Sequence, residues 1–265
     1  MTTLAINNQP YGVHQNPNAP RTLLQHVVEA EKTTYIAYRV LQLSERVSRA
    51  ASMCFESVSA CLSTLAGRLC TAWTSLVMMR LPEVTQKAWE AITTWGTVEG
   101  PEGHALRSNI KRLHDLTDCV ASWFYSGFWL FGSTTLKNAG DVVDAGTHFA
   151  ALGLAAEDHN MASKHLDYIR TNDATNDVLQ ARFQETKTEA FWRVLKEISC
   201  VAGCTFGLLG LTLGSAVISS GTALAIGLSS TIFALISHFY RETMTYKPVE
   251  FFKWGGAVVN GVRIN

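Results

Sequence analysis

The chain has 265 residues, and its 22 lysines and arginines balance its 22 aspartates and glutamates. A zero formal net charge gives no electrostatic footprint for nucleic acid, so we expect no nucleic-acid partner. Charged residues make up only 17% of the chain, below the roughly 25% of a typical soluble domain. This deficit indicates that part of the surface faces something other than water.

Residues 1–20 form the first segment, which is rich in Asn, Gln, Thr and Pro. It lacks the basic and apolar regions of a secretory signal peptide. Because such a composition buries too little apolar surface to offset its ordering entropy, we predict a disordered segment. Two interpretations remain open, a plain flexible terminus and an uncleaved signal for type III secretion.

Residues 21–100 are predicted to be an amphipathic helical region. Between Thr22 and Leu81 there is no proline and a single glycine, Gly67, which favours one or two long helices. Apolar residues recur there at alternating spacings of three and four, the pattern of one helix face. The first members of this stripe are Ile36, Val40, Leu43 and Val47. We predict that this face binds a partner helix or a second copy of the chain.

A helical region is predicted over residues 101–197, after a loop marked by the glycines and proline of residues 96–103. Its most apolar part is segment 119–156, in which Cys119 to Leu136 carries no charge and many aromatic side chains. A span needs about 20 apolar residues, so this segment is at the short limit. It is either a second membrane-associated helix pair or a pair of core helices.

Residues 198–240 contain no Asp, Glu, Lys or Arg over 43 positions, with a cluster of turn-forming residues in the middle. We predict a transmembrane helical hairpin that turns at Ser219, Ser220 and Gly221. Basic residues flank both ends and none lies at the turn, so both ends should face the cytosol. Residues 241–265 then form a short cytosol-facing tail. Two alternatives are a hairpin hidden in a soluble fold until triggered, and a permanent soluble core.

Helix packing within the hairpin is predicted to use small residues. Four glycines fall on one face of the first helix at spacings of four, three and four, namely Gly203, Gly207, Gly210 and Gly214. Such GxxxG units allow close approach of a second helix in lipid. Gly227 and Thr231 give the second helix a weaker small-residue face, and Phe251 beyond it is predicted to be an aromatic anchor at the interface.

Few residues in the sequence suggest catalysis or metal binding. Asp141, Asp144 and His148 would share one helix face that a divalent metal could use, although such residues more often form a solvated face. The six cysteines form no CxxC pair, and no HExxH, phosphate-loop or nucleophile-elbow motif is present. We therefore predict no catalytic residues, no metal, no cofactor and no small-molecule substrate, and hence no enzyme.

The layout resembles that of the chlamydial inclusion membrane proteins. A polar start at residues 1–20 and a bilobed apolar segment at 198–240 carry this resemblance. It implies a secreted effector whose hairpin lies in a host vacuole membrane, with both termini in the host cytosol and helices that recruit host proteins. One departure is that the long helical region precedes the hairpin.

The sequence thus predicts an all-α protein with long amphipathic helices and a transmembrane hairpin. The leading hypothesis is a multi-pass, membrane-anchored interaction protein, from which deletion of residues 198–240 should remove the anchor without removing partner binding. The alternative hypothesis is a pore-forming or membrane-remodelling protein that oligomerises through the glycine face.

Overall fold

A computed structural model describes residues 23–93, 108–172, 176–213, 218–246, 248–251, 257–259 and 262–264. The predicted disordered segment 1–20, the predicted loop at 96–103 and Gly214 lie outside the described residues. The helices are α1 (Leu23–Cys54), α2 (Ser59–Met79), α3 (Leu81–Thr93), α4 (Ser108–Phe131), α5 (Thr134–Asn172), α6 (Asp177–Leu213) and α7 (Ser220–Thr243). The predicted all-α class with long helices is confirmed.

The first helical region begins with two long helices that fold back on each other. The chain leaves α1 at Phe55, passes through a short 3-10 turn at Glu56–Val58 and enters α2. The rings of Tyr38 and Trp73 meet edge to face with centroids 5.6 Å apart, a geometry that aromatic pairs favour. These contacts make α1 and α2 an antiparallel pair.

Helices α4 to α7 follow one another as antiparallel neighbours. The α4–α5 turn contains Gly132, which has a φ of 67° and whose N–H donates to the carbonyl of Phe128 at 2.7 Å. Glycine adopts this left-handed backbone without a Cβ clash, and it therefore ends the helix cleanly. At the start of α6, the Asn176 Oδ1 accepts from the Leu179 N–H at 3.1 Å. The cap is thus one residue before Asp177.

The tail after α7 folds back onto α5 and α6. It contains three short strands in a small antiparallel sheet, β1 (Glu250–Phe251), β2 (Ala257–Val259) and β3 (Val262–Ile264). Phe251 is only 2% exposed; its ring stacks on that of His165 and lies tilted against that of Phe183. The prediction of Phe251 as an interface anchor is therefore wrong, because a core of the α5 and α6 ends encloses it. This sheet was not predicted from the sequence.

Candidate functional site

Polar and apolar residues are inverted on α1, where the polar side chains face inward. Gln42, Glu45 and Ser48 are buried, whereas the predicted partner-face residues Val40 and Val47 are 46% and 51% exposed. Ile36 and Leu43 of the same predicted face are half-buried. A water-soluble helix normally has the opposite arrangement.

The same inversion continues in the hairpin. Two described helices, Asp177–Leu213 and Ser220–Thr243, are long and apolar enough to cross a membrane, and only 6% and 17% of the residues in their apolar windows are buried. The core helix of a soluble protein would be mostly buried, whereas the apolar windows of these two described helices are mostly not. Large apolar side chains such as Leu211 and Ile232 remain exposed.

The close contact in the hairpin lies on α7, against α1. The guanidinium of Arg46 contacts the Gly227 carbonyl oxygen and the Thr231 hydroxyl, and it donates to Ser230 Oγ at 3.1 Å. A Cβ at Gly227 would lie 3.2 Å from the Arg46 Cζ, so a larger residue here would require the guanidinium to shift by a few tenths of an ångström. The small-residue face of α7 at Gly227 and Thr231, which was predicted to be the weaker one, therefore makes a closer contact than the glycine face of α6.

The predicted glycine face of α6 is used less. A Cβ on Gly203 would meet Ile226 of α7 at an ordinary 3.5 Å, and a Cβ on Gly207 would meet nothing within 4 Å. Gly210 is half-buried. The predicted turn lies at the start of α7, where the Ser219 Oγ accepts from the Thr222 N–H at 3.1 Å and the helix continues through Ser220 and Gly221.

A cluster of titratable side chains lies between α5 and α6, at the base of the hairpin. The His148 Nδ1 is 2.7 Å from Glu197 Oε2, and its Nε2 is 3.6 Å from Asp144 Oδ2. Glu197 has a side chain only 5% exposed and also binds the ammonium of Lys196. The thiol of Cys204 lies beside Asp144 and His148. The thiol of Cys200 lies beside His148 and Glu197, and we refer to these six residues as the base cluster.

Further polar groups contact Asp144 and Asp141, which lie on the same helix. The Tyr125 hydroxyl is 2.9 Å from Asp141 Oδ1 and 3.4 Å from Asp144 Oδ2. Lys137 pairs with Asp141 at 2.7 Å. Asp144 faces His148 instead. Asp144 and His148 are therefore half-buried between helices and do not lie on a solvated face.

Sequence reasoning missed Glu197, Cys200 and Cys204 as members of one cluster with Asp144 and His148. A signal was present, since Asp144 and His148 are four residues apart and so are the two cysteines. Each pair falls on one face of its helix. The missing information was that α5 and α6 pack with these two faces together.

The charges of the base cluster stabilise one another. Burial alone would lower the pKa of His148, but its contacts with Cys200 and Glu197 outweigh burial and raise the pKa to about 10. Burial would likewise raise the pKa of Glu197, but Lys196 and His148 outweigh it and lower the pKa to about 2. The pair is therefore ionised across the neutral range.

These shifts predict how stability depends on pH in the metal-free chain. The contribution of His148 is complete below its ordinary pKa of 6.5 and is lost as pH rises through about 10. The contribution of Glu197 to stability is complete above its ordinary pKa of 4.5 and is lost as pH falls through about 2. We therefore expect the melting temperature of the wild type to exceed that of His148→Gln by the largest margin between pH 4.5 and 6.5. Both proteins are measured in detergent with EDTA. A difference that stays constant from pH 6.5 to 10 would contradict this.

No known protein family, curated protein or solved structure matches the chain.

Proposed function

We propose that this chain is a membrane-anchored, non-enzymatic interaction protein whose residues 198–240 form a transmembrane hairpin. The observation that carries the proposal is the inversion, in which apolar side chains point outward while polar ones lie between helices. In lipid, ionisable residues face the interior of a helix bundle and pair with one another. Outward-facing apolar side chains cost nothing there, because lipid tails are as apolar as they are.

Helix α1 fits the same environment as the hairpin. Arg46 contacts α7 near Gly227, and Tyr35 lies against His238 near the other end of α7, with ring centroids 5.4 Å apart. The two helices therefore run antiparallel over this length. Glu45 is buried and pairs with Arg49. The charges of α1 are thus partly neutralised by neighbours, while Val40 and Val47 face outward beside the hairpin.

Segment 119–156 supports the same placement. Asp144 lies beside Cys204, so α5 continues along the uncharged part of α6. Apolar residues at the α4 end, including Leu130 and Phe131, are exposed. Among the described helices, α4 and α5 are not apolar enough to count as spans. We propose that segment 119–156 is a membrane-associated helix pair that accompanies the hairpin.

Both ends of the hairpin lie on one side in this proposal. The tail contacts α6 near its start, where Glu185 accepts from the backbone N–H groups of Thr245 and Tyr246 at 3.2 and 3.1 Å. The basic residues that flank the hairpin support a cytosolic location for that side. By the resemblance to chlamydial inclusion membrane proteins, we further propose a secreted effector in a host vacuole membrane.

The proposed binding surface is the α1 face of Ile36, Val40, Leu43 and Val47. Because it lies beside the hairpin, its partner is a helix at membrane depth, and we propose a second copy of the chain. Deleting residues 198–240 would remove α7, on which α1 packs. Point substitutions therefore test the surface better than the deletion does.

We expect Val40→Trp together with Val47→Trp to weaken self-association by about tenfold, since forced overpacking costs 1–3 kcal/mol. Tryptophan keeps the face apolar, so membrane insertion should persist. The measurement is resonance energy transfer between two fluorescent fusions of the full chain in phosphatidylcholine vesicles.

The matched control is Val142→Trp, which makes the same change at an exposed valine of α5 and should leave the energy transfer unchanged. Absence of transfer in the wild type, or equal loss in the control, would contradict self-association through α1.

A further inference from the structure

Two pairs of metal-binding side chains face each other across α5 and α6. Asp144 and His148 are one helical turn apart on α5, and Cys200 and Cys204 are one turn apart on α6. Helical bundles build metal sites in this way, from ligands at helical spacing on facing helices. Among the described residues, two groups with donor atoms within 4.8 Å of one another share His148. One group adds Asp144 and Cys204, and the other adds Glu197 and Cys200.

The orientation of the His148 imidazole favours one of the two groups, because its two ring nitrogens face different carboxylates. Its Nδ1 is 2.7 Å from Glu197 and its Nε2 is on the side of Asp144. Glu197 is already bound to Lys196, so it suits a hydrogen-bond acceptor for the Nδ1–H better than a metal ligand. A carboxylate that accepts from one nitrogen leaves the other free for metal.

We propose that Asp144, His148 and Cys204 bind a Zn²⁺ ion between α5 and the hairpin. The set combines one oxygen, one nitrogen and one sulfur donor, and zinc accepts all three. Magnesium and calcium require oxygen ligands, so a thiol argues against them. Donor atoms around one tetrahedral zinc are roughly 3 to 4 Å apart, so small side-chain rotations bring these three to one ion.

Charge balance supports the same site. The Asp144 carboxylate and a Cys204 thiolate together neutralise one divalent ion, and Lys196 neutralises Glu197. A neutral site is favoured at the base of an apolar hairpin, where an uncompensated charge would be costly. Three protein ligands leave the fourth position to water, as in open zinc sites.

The surrounding residues form a second layer around these ligands. The Tyr125 hydroxyl is within hydrogen-bond distance of Asp144 at 3.4 Å, and Glu197 orients His148. Such partners fix the ligands of a metal and raise its affinity. A bound ion would tie α5 to α6 at the point where α6 becomes uncharged. This inference goes beyond the proposed function, since it does not require a binding partner.

The test uses the full chain in detergent, stripped with EDTA and titrated with Zn²⁺ against a chromophoric chelator, and separately with Co²⁺. We expect one Zn²⁺ per chain and a Co²⁺ spectrum with tetrahedral visible bands and a thiolate charge-transfer band. Cys204→Ser should abolish the charge-transfer band. It should also weaken Zn²⁺ binding by at least about 100-fold. Losing a residue that only hydrogen-bonds to a metal ligand already costs up to about 100-fold, and losing a ligand should cost more.

Cys61→Ser is the matched control, because it makes the same change at an exposed cysteine of α2 that belongs to neither group of donor atoms. It should keep both the charge-transfer band and the affinity. A Co²⁺ spectrum of the wild type without a thiolate band would overturn the proposal, and this result does not depend on the folding of any variant. Retained affinity in Cys204→Ser, or an equal loss in Cys61→Ser, would also overturn it.

Discussion

Leu211→Lys combined with Ile232→Lys should prevent the chain from integrating into membranes. Both side chains are exposed on the hairpin helices, where the proposal places lipid. A lysine at the centre of a span costs about 2.5–3.5 kcal/mol in membrane insertion, so two together should reduce the integrated fraction severely. The measurement is resistance to carbonate extraction after synthesis in the presence of membranes.

The matched control adds two lysines elsewhere, as Tyr168→Lys with Thr171→Lys at the exposed far end of α5. That end packs with the tail, on the side assigned to the cytosol, so integration should be unaffected. If the hairpin variant integrates as well as the wild type, the two helices do not contact lipid and the proposed function fails.

Phe183→Ala should cost about 3–5 kcal/mol in the stability of the α5, α6 and tail core. The ring is fully buried and lies between His165 and Phe251, so its removal leaves a cavity against the tail. Tail docking should weaken as well, because Val249 donates its backbone N–H to Thr186 in the same core at 3.0 Å. Hydrogen exchange of the Val249 amide in detergent measures both effects.

Phe191→Ala provides the comparison, since Phe191 lies two turns further along α6 and is exposed. Its loss should cost about 1 kcal/mol or less, and exchange at Val249 should stay slow. Equal acceleration in both variants would show that the tail does not depend on the ring of Phe183.

The features that could be predicted from sequence are those set by local pattern. The hairpin followed from the absence of charge over residues 198–240, and its turn from small residues at Ser219 to Gly221. Those signals depend only on hydropathy and turn preference. The long helices likewise followed from the scarcity of glycine and proline before Leu81.

The features that could not be predicted depend on which helix faces pack together. The base cluster requires α5 and α6 to be antiparallel with Asp144 opposite Cys204, and no local pattern sets that register. Arg46 illustrates the same limit, because no local pattern indicates that α7 supplies it with a carbonyl and two hydroxyls. Phe251 was misplaced for this reason too, since its neighbours come from distant helices.

The unbroken length of α6 has a mechanical consequence. Its 37 residues extend about 55 Å at 1.5 Å per residue, from the tail core to the far end of the hairpin. A continuous helix resists bending far more than a linked pair would. A force that tilts the charged half must therefore move the apolar half by the same angle, so in the proposed membrane placement α6 acts as a rigid lever.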